Sequence, residues 1–175
     1  MTALSPSAPD WPGLAHAQGE LALYHCPLFR AVADLRGQLV YLATPYTKPV
    51  TGDDGTFDLN ASYAAVTTAA RWSAMFAAEG VTAVSPIVMA GEMVHADPFH
   101  GDLDPLDQGF WADWCRPLLR ACRAVVVPPI PGADVSTGVW AEALDAVSRN
   151  RRVYLISPAD RAAVFPGRAP SQPGG

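Results

Sequence analysis

Leu39-Val40-Tyr41-Leu42-Ala43-Thr44-Pro45-Tyr46 is a short run of apolar and β-prone residues that stops at a threonine–proline pair. Such a run, without polar alternation, predicts a strand buried on both faces, which is the habit of a parallel sheet. Downstream, residues 60–78 are rich in alanine, and Val66, Ala69, Ala70, Ser73, Met75 and Phe76 are spaced to line one helical face. Gly80 is the stop signal. Residues 81–84 read as a second strand ending at Ser85-Pro86, and a loop rich in His, Asp and Pro is expected from about Met93 to Asp107. Residues 110–121 read as a helix, with Pro117 either tolerated in an early turn or marking a kink. A third strand at 124–127 closes at Pro128-Pro129, and a third helix at 137–148 leads to a fourth strand at 153–156.

This alternation predicts right-handed crossovers and a parallel sheet covered on both faces. Ligands of such sheets sit beyond the carboxyl ends of the strands. Three predicted loops converge there, at residues 44–55, 85–107 and 128–138. Outside this unit, residues 1–37 mix Pro6, Pro9, Pro12, Gly13 and Gly19 with one short apolar piece, which suits an extension draped over the domain. Residues 161–175 carry Pro166, Gly167, Pro170, Pro173, Gly174 and Gly175 and read as a disordered tail. The domain is therefore expected at residues 38–160.

A length of 175 residues with 50% hydrophobic and 17% charged side chains fits one core and not two. The net charge of −5 leaves no basic field to hold nucleic-acid polymers or an anionic membrane. A small nucleotide remains compatible, because the N–H groups at a helix N-terminus hold a phosphate whatever the net charge. Cys26, Cys115 and Cys122 lack the paired spacing of a zinc or redox motif and read as thiols of a reducing cytoplasm. No run reaches the ~18 apolar residues of a membrane span, and the first residues lack the order of a secretory signal. A cytoplasmic location is the expectation.

The stretch Pro131-Gly132-Ala133-Asp134-Val135-Ser136-Thr137-Gly138-Val139-Trp140-Ala141-Glu142 carries the most chemistry. Its Asp, Ser and Thr-Gly residues can cap a helix and leave N–H groups facing the crevice. Glu142 lies about one turn in, where the helix dipole favours an ionised carboxylate available as nucleophile or base. An acid so placed also serves as a plain capping device.

Taken together, Tyr41-Leu42-Ala43-Thr44-Pro45-Tyr46, Ser85-Pro86-Ile87 and Ser136-x-Gly138-x-x-x-Glu142 resemble the nucleoside 2-deoxyribosyltransferase-like superfamily. Within it the chain is most similar to an uncharacterised bacterial group with a Tyr-Leu-Ala-(Ser/Thr)-Pro-Tyr opening. The likeness spans roughly residues 39–157. It implies an α/β fold, a flavodoxin/Rossmann-like three-layer sandwich with a four- to five-stranded parallel sheet. It implies an N-glycosidase or deoxyribosyltransferase whose glutamate, here Glu142, attacks the anomeric carbon of a nucleoside or nucleoside 5′-monophosphate. Tyr41 would position that glutamate, and no metal or organic cofactor is required. Ser136 would meet the 5′-phosphate, and Gly138 would admit the ligand close to the backbone. Thr44, Tyr46, Ser85, His95 and Asp134 lie on the converging loops as candidate substrate contacts, and Trp140 is the tryptophan nearest Glu142 for stacking. Sites of the superfamily are commonly completed by a neighbouring subunit, so a homo-oligomer is expected.

Two departures stand against the resemblance. The superfamily has an Asp just before its third strand where this chain reads Cys122-Arg123, and another acid one helix earlier where it reads Cys115. Asp104, Asp113 and Asp134 are the acids available to replace them. A non-catalytic nucleotide-binding module of the same fold is the alternative these departures leave open, and an assembly protein using the N-terminal extension and the tryptophans is a third. His95-Ala96-Asp97-Pro98-Phe99-His100 offers metal-ligand types but matches no zinc spacing and reads as a polar loop.

Overall fold

In the computed structural model, residues 8–98 and 101–164 are described. Five strands form one all-parallel sheet: β1 Ala22–Cys26, β2 Leu39–Leu42, β3 Thr82–Val84, β4 Ala124–Val127 and β5 Arg152–Ile156, in the order β1-β5-β4-β2-β3. Seven α-helices connect or flank them among the described residues: α1 Trp11–Gln18, α2 Leu28–Leu35, α3 Thr47–Val50, α4 Leu59–Ala78, α5 Pro86–Ala96, α6 Gln108–Ala121 and α7 Thr137–Ser148. The sheet is flanked by helices on both faces, a three-layer α/β sandwich of the flavodoxin/Rossmann-like kind.

Alternation along the strands sorts the two cores. Tyr41, Ala43, Val125, Val127, Val153 and Leu155 point to the layer holding Trp11 and Leu14 of α1, Leu119 of α6, and Val139, Trp140, Ala143 and Ala146 of α7. Val40, Leu42, Ala124, Val126, Tyr154 and Ile156 point to the layer of Ala31, Val32 and Leu35 of α2 and Trp72 and Phe76 of α4. From β2 the chain moves outward to β3, then returns past β2 to β4. Connections leave β2 and β4 in opposite directions, so their carboxyl ends form the topological switch point at which ligands of such sheets sit.

The four later strands follow the 2-1-3-4 order of a flavodoxin-like sheet, and the outer slot beyond β5 is filled by β1. Residues 1–37, read above as an extension, thus include core elements. Their prolines and glycines punctuate short elements rather than dissolve them: Pro12 lies in the first turn of α1, Gly19 at φ +55° ends it, and Pro27 precedes α2. Trp11 anchors the segment, its ring edge-on to Trp140 at 5.0 Å and its Nε1 donating to the Asp134 carbonyl at 2.7 Å.

The expected loop from Met93 is also corrected, because α5 runs from Pro86 through Ala96. Ser85 caps it by accepting from the Val88 N–H at 3.3 Å, and Pro86 opens its first turn. The helix lies close on α4, where a Cβ on Gly91 would stand 2.2 Å from a methyl of Val66. Pro117 falls in the third turn of α6 and is exposed, so the early-turn alternative is excluded. Of the tail expected at residues 161–175, residues 161–163 instead complete a 3-10 helix, Pro158–Ala163, opened by Pro158 and capped by Ser157, and residues 165–175 lie outside the described residues.

Trp11→Ala removes the ring contact, the Asp134 tie and a buried aromatic together. We expect a loss of about 3–5 kcal/mol of stability, read as a lowered urea midpoint. A midpoint within error of the wild type would show that the N-terminal segment is not part of the cooperative unit.

Candidate functional site

Tyr41 is the third of four residues in β2, fully buried on the α6/α7 face. Its hydroxyl donates to Oε1 of Glu142, 101 residues later on α7. The thiol of Cys115, on α6, lies near the same hydroxyl and near Glu142, close enough for each to bear on its protonation. One strand and two helices therefore each bring a single polar group toward the carboxyl end of β2, at the switch point of the sheet.

Glu142 keeps part of its surface open, yet its carboxyl is crowded by protein. Burial raises it from the ordinary 4.5 of a glutamate to about 7, and the Tyr41 hydrogen bond opposes this with smaller effect. The helix dipole does not keep it ionised as its sequence position promises, because α7 begins at Thr137 and the dipole acts mainly within the first turn. Burial, and then the nearby Glu142, push the Tyr41 phenol far up and the Cys115 thiol to about 11. Phenol and thiol thus remain protonated, and Glu142 is the group of the three that titrates near neutrality.

A second polar set lies on the α4/α5 side. Tyr46 Oη meets Ser62 Oγ at 2.7 Å, Ser62 Oγ meets His95 Nε2 at 2.8 Å, and Tyr63 lies against the His95 ring at 3.9 Å between centroids. Burial raises the Tyr46 phenol, and the Ser62 bond counters it. Thr44 is buried with its Oγ1 unpaired among the described residues, and Ser85 is taken up in capping α5. Ser62 and Tyr63 were not singled out by sequence, since neither belongs to a motif and their partners are far along the chain.

Ser136 caps α7, accepting from the Val139 N–H at 3.4 Å. Gly138 is exposed, and a Cβ there would meet only Ser136 Oγ at 3.9 Å, so the space above the helix start is open. Asp134 is exposed and offers its carbonyl to Trp11. Trp140, expected as a stacking ring, is buried in the core against Trp11 and presents no face to a ligand; residues two apart on a helix do not share a face. Of the two departures, Cys115 is in the site. Arg123 stands at the amino end of β4, its N–H on the Leu39 carbonyl, at the opposite end of the sheet. Asp113 pairs with Arg116 at 2.6 Å, and Asp104 accepts from the Leu106 N–H at 2.8 Å. Of the stretch proposed as a polar loop, His95 is helical, Asp97 ends α5, and Phe99 and His100 lie outside the described residues. A groove between α2 and α4, lined by Leu28, Phe29, Val32 and Met75 and flanked by the charged Arg36 and Glu79, opens on the other face of the sheet, away from Glu142.

Residues 38–158 match the family described as Domain of unknown function (DUF1937), and the chain belongs to that family. No curated protein and no solved structure matches the chain. The matched residues contain β2 to β5 and every group named in the Tyr41 and Ser62 sets, while α1, β1 and α2 precede them.

A carboxyl that binds its proton more tightly when folded loses stability as pH rises from about 4.5 through about 7. Glu142→Gln keeps an acceptor for Tyr41 and removes the titration. We expect the variant to exceed the wild type at pH 8 by about 1–3 kcal/mol, after allowance for its partial exposure, and to match it near pH 4. Parallel stability profiles for the two proteins would show that Glu142 is not desolvated.

Proposed function

We propose that the chain is an N-glycosidase or deoxyribosyltransferase-like enzyme acting on a nucleoside or nucleoside 5′-monophosphate. The observation that carries this reading is the Tyr41 hydroxyl seated on the Glu142 carboxyl at the switch point where the connections of β2 and β4 part. A carboxylate held by one donor, with its second oxygen left for reaction, suits attack on an anomeric carbon. The Glu142 oxygen forms a bond to that carbon as the carbon–nitrogen bond breaks. The electron pair leaves with the base, which takes a proton from solvent. Water or a second base then displaces the glutamyl ester and restores the carboxylate. Ser136 and the open space above Gly138 are assigned to the ribose or 5′-phosphate end, at the start of α7. Thr44, Ser85 and the Tyr46–Ser62–His95 set, on the loops and helices after β2 and β3, are assigned to the other side.

A non-catalytic nucleotide-binding module is the second reading. It is favoured by the Cys115 thiol standing at the Tyr41 hydroxyl and by a Glu142 that is largely protonated below pH 7. We take the working setting to be cytoplasmic and the assembly to be a homo-oligomer, for which light scattering is the check; a monomer at working concentration overturns it.

Base release from ribo- and deoxyribonucleosides and their 5′-monophosphates, followed by chromatography, tests the chemistry. Glu142→Gln is expected to lose at least about 10³-fold in rate, and an undiminished rate sinks the mechanism. Because the ionised carboxylate attacks, kcat/KM should rise with pH through about 7. Tyr41→Phe removes the donor that favours the charged form, so the midpoint should move upward. A flat profile, or a midpoint that moves down, would remove Glu142 from the nucleophile's role.

A further inference from the structure

We propose that Trp111 is the platform on which a planar heteroaromatic ring stacks while its attached carbon faces Glu142; this rests on the glycosidic reading above and assigns the ring its place. The inner face of α6 recurs every three or four residues, at Trp111, Trp114, Cys115, Leu118 and Leu119, and the capping residue Cys122 follows on the same side. Leu119 and Cys122 are buried in the core and Leu118 packs against it. One turn earlier the half-buried Cys115 lies near Tyr41 and Glu142, and beside it and a turn beyond, Trp114 and Trp111 are only half-buried. The same face that closes the core therefore emerges from it at its N-terminal end.

That end is the switch-point end, because a helix crossing between parallel strands runs opposite to them and begins at their carboxyl ends. Trp111 and Cys115 are four residues apart, so their Cβ atoms stand about 5–6 Å from each other. The indole is accordingly one helical turn outward of the Tyr41–Glu142 pair. It is also held in place: Nε1 donates to the Asp104 carbonyl at 2.8 Å, and Phe110 and Trp114 meet the ring edge-to-face at 4.9 and 5.8 Å. With its donor engaged, the indole has only its π surface to offer. A fixed, partly open ring of this kind favours flat ligands over hydrogen-bonded ones. The exposed Asp104 and Asp107 beside it repel a phosphate, so the uncharged ring of the ligand belongs at this end and any anionic group at the start of α7.

The 175-residue chain titrated by calorimetry with adenine, hypoxanthine, cytosine, thymine and their nucleosides tests this, alongside Trp111→Ala and Trp111→Phe, with thermal melts and light scattering on each. A ring that binds the wild type should bind Trp111→Ala about ten- to a hundredfold more weakly and Trp111→Phe within about threefold, with the assembly unchanged. Equal dissociation constants in wild type and Trp111→Ala overturn the platform, as does the absence of binding by any ring. Loss of oligomers in Trp111→Ala at unchanged affinity overturns it in favour of a contact between copies. Ring binding that weakens as expected, with no base released from any nucleoside, upholds the platform and rejects the glycosidic reading. Base release with the same KM in Trp111→Ala does the reverse.

Discussion

The hydrogen bond from Tyr41 to Glu142 joins two groups that are each costly alone. β2 is covered on both faces, so its residues alternate between two apolar layers and the Tyr41 phenol cannot reach bulk water. An unpaired buried hydroxyl costs about 1–3 kcal/mol, and a desolvated carboxylate without a donor costs more. Together they are tolerated, and the bond ties α7 to β2 beside the apolar packing of Val139, Trp140, Ala143 and Ala146. Cys115 completes the group from α6 with a thiol that burial keeps neutral. The result is a carboxyl poised near neutral pH at the one place where the sheet's connections diverge, a combination of desolvation and access that marks functional sites more often than structural ones.

Placing that group requires a whole sheet, and the N-terminal segment is part of it. Without β1, the outer edge of β5 would offer a row of unpaired backbone groups, an invitation to pairing between chains. β1 covers that edge, and α1 and α2 cover one face each. The new edge that β1 exposes is itself interrupted. Its register shifts between Leu23 and Cys26, where His25 takes φ +52°, and a bulge of this sort is a common device for ending strand pairing. The family match begins at residue 38, so the segment that closes the sheet in this chain lies outside it.

Much of this architecture was legible because its signals are local. Apolar runs of four or five residues marked β2, β3, β4 and β5, and helical spacing with Gly80 as a stop marked α4 to within a residue. The N-terminal elements were missed because Pro12, Gly19 and Pro27 read equally as irregular chain or as the boundaries of very short elements, and only packing distinguishes the two. α5 was missed in part because Met89 and Met93 are exposed while Ala90, Gly91 and Val94 are buried, so its buried face is too small and weakly apolar to announce a helix. At the site, Glu142 and Tyr41 were found through the spacing of motifs around them. Ser62 had no such context, and Cys115 was noticed only as a missing acid.

By itself the sequence determined the order of elements from β2 to β5, α5 apart, their parallel arrangement and the end of the sheet at which ligands of such folds sit, because hydrophobic periodicity and turn residues act over a few positions. It also singled out Glu142 as the residue to watch. Tertiary structure alone decided which side chains meet. It turned Trp140 into the core, two residues from Glu142 but on another face. It carried Arg123 to the far end of the sheet, and it brought Cys115 and Tyr41 to Glu142 across separations of 27 and 101 residues. The reason is physical: contact and desolvation depend on distances in space, and those exist only once the layers have closed.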